Sequence, residues 1–181
     1  LNTATGAEAL CANTTGLGGT AYGYKALCVN TTGSFNTAIG PYAMYKNTTG
    51  SHIAALGAST LEANTTGACN TGSGMYALKC NTTGSFNTAS GRGALYNNTT
   101  ASCNTAHGAC ALFANTTGSN NIAVGYQALK ANTCGGCNVA MGNLTMAANT
   151  TGAGNTALGR AAMNENTTGA CNVGVGYGAL E

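Results

Sequence analysis

The chain has no Asp and no Trp, a single Pro in 181 residues, and only 6% charged residues. Its whole acidic complement is Glu8, Glu62, Glu165 and Glu181. A paired-carboxylate mechanism or a hydroxyl-His-carboxylate triad therefore lacks parts, and no enzyme is expected. The formal charge of +2 comes from cations scattered along the chain, Lys25, Lys46, Lys79, Arg92, Lys130 and Arg160. That is too little to hold a phosphate backbone, so nucleic acid is not an expected partner. No apolar run approaches the roughly 18 residues of a membrane helix, and membrane insertion is not expected. The first residues also lack the basic-then-apolar pattern of a signal peptide.

What the chain does have is one phrase, repeated. Asn-Thr-Thr, or Asn-Thr-Cys at Asn132, begins at Asn13, Asn30, Asn47, Asn64, Asn81, Asn98, Asn115, Asn132, Asn149 and Asn166, always 17 residues apart. A repeat this strict implies a stack in which each unit touches its neighbours, without internal domain boundaries. Residues 1–181 read as one array, a partial coil over 1–12 followed by coils starting at 13, 30, 47, 64, 81, 98, 115, 132, 149 and 166. The phase in which the array starts and stops leads us to expect a segment of something longer.

Numbering the unit from its first Asn, place 11 is Gly in every copy and place 4 is Gly in all but Ala101. The first signals a positive φ or close backbone approach, the second a turn. Segments between these glycines are too short for helices, which leaves strands. At about 3.3 Å per residue a coil is about 56 Å around, room for two or three short strands with corners. The expected fold is all-β, a parallel β-solenoid (β-roll or β-helix) of 17 residues per coil and about ten coils, roughly 50 Å long at about 4.8 Å per coil.

Place 15 is Leu or Met throughout, so Leu27, Met44, Leu61, Leu78, Leu95, Leu112 and Leu129 are the expected core ladder. Places 7, 9 and 11 read Asn, Ala and Gly almost without exception and are expected inward, with the place 7 asparagines bonded to one another in a stacked amide ladder. Place 10 varies from Ile39 to Ser90 and His107, and its being the inner position is the open alternative.

At Asn36-Thr-Ala-Ile-Gly40 and Asn121-Ile-Ala-Val-Gly125 the chain resembles the head repeats of trimeric autotransporter adhesins and similar repeats of phage and surface fibres. The resemblance runs through every unit. It implies a left-handed parallel β-roll, three chains side by side, and a role in adhesion or in projection from a surface.

Asn-Thr-Thr is also an N-glycosylation acceptor, so all ten place 1 asparagines, Asn13 to Asn166, are candidate attachment sites. Asn97 and Asn143 begin further matches. The other reading is corner chemistry, the Asn side chain bonding its own turn and Gly closing it. Nine cysteines suit an oxidising setting, and an extracellular or cell-surface location is expected. Cys11 and Cys28 share place 16 of successive coils, at a spacing inside the disulfide window. The expected bridges are Cys11–Cys28, Cys69–Cys80, Cys103–Cys110 and Cys134–Cys137, with Cys171 left over; small buried thiols are the alternative. Cys103, His107 and Cys110 fall short of the four converging ligands of a structural zinc site, so no metal is expected. No cofactor is expected beyond covalent sugar.

Three functions follow. The first is a structural segment of an extracellular fibre, partnered by copies of itself end to end and side by side. The second is an adhesin or receptor-binding module meeting glycans through its scattered tyrosines. The third is ice binding, which places 2 and 3 serve badly because neighbouring residues of a strand face opposite ways.

Overall fold

The computed structural model describes residues 1–181 and contains eleven strands of three residues, β1 (Thr3–Thr5) to β11 (Val173–Val175), one per coil at places 8–10. They form one parallel sheet in chain order. Each residue pairs with its counterpart 17 further on, as in Thr37↔Ala54, Ala38↔Ala55 and Ile39↔Leu56. The chain is a parallel β-solenoid of about ten turns, and no helix in it is long and apolar enough to cross a membrane.

One strand per coil, where two or three were expected, does not mean a loose remainder. Of 125 backbone hydrogen bonds, 105 lie outside the strands, and most of them join the same region of successive coils. Leu27 N–H donates to Ala43 O at 3.0 Å and Thr31 N–H to Thr48 O at 2.9 Å, one coil ahead; Lys25 N–H donates to Ala7 O at 3.0 Å, one coil back. Irregular backbone thus satisfies its polar groups along the axis as a sheet would.

The corners that replace the missing strands rest on left-handed residues. Places 6, 13 and 15 have positive φ with ordinary side chains, as at Phe35 (58°), Tyr42 (57°) and Met44 (52°). Each such residue costs about 1–2 kcal/mol. What place 15 gains in return is a fully buried side chain: Leu27, Met44, Leu61, Leu78, Leu95, Leu112 and Leu129 are all 0% exposed. At place 11 the backbone goes where only glycine can follow. Gly40 has φ 131°, and a Cβ on it would lie 2.6 Å from the Gly57 carbonyl carbon.

The interior is narrow. Ala at places 9 and 14 packs with the place 15 column, and Asn at places 1 and 7 closes the section. Place 10 faces outward, with Tyr22, Ile39 and Leu56 exposed, which settles the alternative in favour of the small inward face. Where place 14 carries the larger Thr60, the next coil has Gly72 in place of Ala. A Cβ there would sit 2.5 Å from Thr60 Cγ2.

Truncating the core column should be costly. Leu95→Ala is expected to destabilise by about 2–5 kcal/mol, whereas Ser90→Ala on the outer face should change stability by no more than about 0.5 kcal/mol. Chemical denaturation of the two variants measures both.

Candidate functional site

The first site to place is the row of candidate glycan acceptors. From Asn47 to Asn149 the place 1 asparagines are 0% exposed, and Asn30 is 2% exposed. Each Nδ2 donates twice. Asn81 gives one hydrogen to Asn64 Oδ1 at 2.7 Å and the other to Gly84 O at 3.0 Å in its own turn. Its Oδ1 in turn accepts from Asn98 Nδ2 at 2.7 Å. The same pair of bonds recurs from Asn30 to Asn166. An N-linked sugar would replace one of these hydrogens inside a closed interior, so the folded coil has no room for one at Asn30, Asn47, Asn64, Asn81, Asn98, Asn115, Asn132 or Asn149. Asn13 and Asn166, in the outermost of these turns, are half-buried. Asn143 is the exposed acceptor, although the Thr145 of its motif is buried and donates to Gly159 O at 2.6 Å.

The amide ladder therefore stands at place 1, not place 7. Place 7 asparagines mainly bond the backbone: Asn70 Oδ1 accepts from Asn87 N–H at 2.9 Å, and Asn70 Nδ2 donates to Gly84 O at 2.8 Å, while Asn155 Nδ2 to Asn138 Oδ1 at 3.2 Å is their one amide-to-amide bond. No buried side-chain polar atom lacks a partner. A signal for this was present in the chain. Asn132 keeps its place although Cys134 replaces the usual Thr of the phrase, as it would if the amide itself were needed.

All nine cysteines are free thiols, so none of the four expected bridges is formed. Cys11 and Cys28 do stack, with sulfurs 3.0 Å apart. Burial, reinforced by the Cys11 thiol, pushes the Cys28 thiol up to about 11. Cys69, Cys103, Cys137 and Cys171 lie exposed at the place 6 corner. Cys103 and Cys110 flank the strand Thr105–His107, which spans about 10 Å of extended chain, so they cannot approach within a disulfide's reach. Nowhere do three His, Cys or Glu side chains come together.

The outer sheet face consists of places 8 and 10. Place 8 holds a column of Thr at Thr20, Thr37, Thr71, Thr88, Thr105 and Thr156, a regularity that reading places 2 and 3 alone had missed. Beside it place 10 mixes Tyr22, Ser73, His107 and Met141, so the face lacks the even relief of a water-ordering array.

Apart from Tyr22, the tyrosines lie at places 12, 13 and 16, and five of them pack against one another in two groups. Tyr24 and Tyr42 pack edge to face at 5.3 Å with Lys25 over Tyr24. Further along, Tyr76 meets Tyr96 at 6.1 Å, Tyr96 stacks on Phe113 at 5.0 Å, and the Lys79 amine lies 4.9 Å from the Tyr76 ring centre. Burial pulls the Lys79 amine down, but Tyr96 and Glu62 more than offset it and hold it above its ordinary value. The chain's two ion pairs also join successive coils, Lys25 with Glu8 at 3.6 Å and Lys79 with Glu62 at 3.9 Å. Pairs this exposed add little stability.

No family model, curated protein or solved structure matches this chain.

Expressed in an N-glycosylating host, the folded chain should carry no sugar on the place 1 residues from Asn30 to Asn149, as peptide mass spectrometry will read. Asn81→Ala strands buried partners on both neighbouring coils and should cost about 1–3 kcal/mol for each group left unpaired, with no change in glycan mass. The raised Cys28 thiol sets a pH dependence. A thiol that holds its proton more tightly when folded contributes stability below its ordinary value of 9.0, and that contribution is lost as pH rises to about 11. Denaturation midpoints should therefore fall more steeply between these limits in the native chain than in Cys28→Ser.

Proposed function

We propose that this chain is a rigid structural rod, a segment of a fibre at the cell surface or outside the cell. The observation that carries the reading is the unbroken register from β1 to β11, in which every strand stacks on the same three places of its neighbour. Such a stack has no hinge. Each coil adds the same hydrogen bonds and about 4.8 Å of length, so length is set by the number of units and cross-section by the unit.

Stiffness in this reading comes from amide and carbonyl ladders, not from disulfides or a coat of sugar. The dearth of charge is consistent with it, because a surface of Thr, Ser and Gly makes contacts that depend little on salt. The resemblance to adhesin head repeats and fibre repeats supports projection from a surface. A second reading, ligand recognition along the rod, is favoured by the aromatic and cationic side chains gathered at one corner.

Small-angle scattering and electron microscopy of the purified chain should give a rod about 50 Å long, with diffraction from aligned material near 4.8 Å along its axis. Inserting five further copies of the unit 81–97 should lengthen the particle by about 24 Å at constant width. A compact particle, or one that widens on insertion, would end the proposal.

A further inference from the structure

Place 13 forms a column of outward side chains, and in the coil 81–97 that column is interrupted. Gly93 stands between Tyr76 in the coil before and Cys110 in the coil after. A notch of about 270 Å³ opens over it, lined by Tyr76, Tyr96 and Phe113 together with Cys110 and Arg92. A Cβ on Gly93 would make only ordinary contact with Phe113, at 3.5 Å, so the space above the glycine is real and not a collapsed seam. The volume lies just under the range of small-molecule pockets and fits a single six-membered ring.

Arg92 is the one charged residue that lines the notch. The chain's two ion pairs engage Lys25 and Lys79, so the exposed Arg92 has no carboxylate partner. Lys79, already shared with Glu62, adds positive potential beside Tyr76 and Tyr96. In a chain with so few cations, Arg92 is thus an exposed, unpaired cation in the lining of an aromatic notch. Guanidinium groups bind carboxylates through paired, charge-assisted hydrogen bonds. Tyr rings offer apolar faces with a hydroxyl at the edge, which suits a ring that is itself apolar on its faces and hydroxylated around its rim.

We propose that this notch binds a uronic-acid-type sugar residue, its ring against Tyr76, Tyr96 and Phe113 and its carboxylate on Arg92. The site is complete within one chain. It needs no second copy, and it stands whether or not the chain is part of a fibre.

The test is calorimetric titration of the whole chain with a glucuronate disaccharide, its neutral glucose counterpart, and benzoate. The glucuronate probe should bind saturably with one site per chain, at least about tenfold more tightly than the neutral sugar, as expected for one charge-assisted contact. Arg92→Ala should remove that advantage. Gly93→Tyr should abolish binding by filling the notch. The coil accepts large residues at this place, as Tyr42, Tyr76 and Leu144 demonstrate, so Gly93→Tyr should keep the native circular dichroism and melt only a few degrees lower, the cost of a side chain at a φ of 65°. Saturable binding that survives Gly93→Tyr, equal affinity for the neutral sugar, tighter binding of benzoate, or no binding of the glucuronate probe would each overturn the proposal.

Discussion

Everything in this solenoid depends on polar groups finding partners along one axis. A coil of 17 residues with one three-residue strand has most of its backbone in corners, and corners usually turn to water. Here they cannot, because another coil lies directly above and below. The place 1 asparagine answers that constraint with a side chain whose two N–H groups and one carbonyl match the repeat. Asn81 reaches back to Asn64, receives Asn98, and ties down the Gly84 carbonyl of its own turn. Replacing any of these groups by an apolar one would leave its neighbours buried without partners, which costs more than a hydrogen bond gains.

The apolar core comes second to this ladder. Leu and Met at place 15 are buried completely, yet they share the interior with small Ala side chains. A core so thin could not fix the coil's path alone. The left-handed corner at place 15 is tolerable because the adjacent carbonyls and amides are bonded coil to coil, as at Leu95 N–H to Ala111 O, 3.0 Å. Hydrophobic burial and axial hydrogen bonding thus act on the same residue from opposite sides.

Much of the architecture was legible in the residues. The constant interval of 17 gave the stack and its register, the Leu or Met column gave the core, and the small constant face pointed inward as expected. Other features were not legible, for physical reasons. Phe35, Tyr42 and Met44 carry no mark of a left-handed conformation, because it is tertiary bonding that overrides their preference. Asn-Thr-Thr-Gly has the same letters whether it is an acceptor for sugar or a buried turn, and only the burial of the amide separates the two. The cysteines divide likewise. Place 16 neighbours stack because the coils do, whereas Cys69 and Cys80, like Cys103 and Cys110, have a strand between them. The notch at Gly93 depends on a missing side chain between two present ones, which shows only once the columns are aligned in space.

The Thr60 and Gly72 exchange carries a consequence for how such an array can change over time. Identical register means that a block of 17 residues can be duplicated or lost from any starting point, and the flanking coils will still fit. Unequal recombination between repeats would then alter length without unfolding the product. At this seam the fit is close, with Gly72 ahead of Thr60, yet Thr145 holds the same place with Ala157 ahead of it and both are fully buried. Even the coils of Thr60 and Gly72 can therefore be parted, provided the interval of 17 is kept.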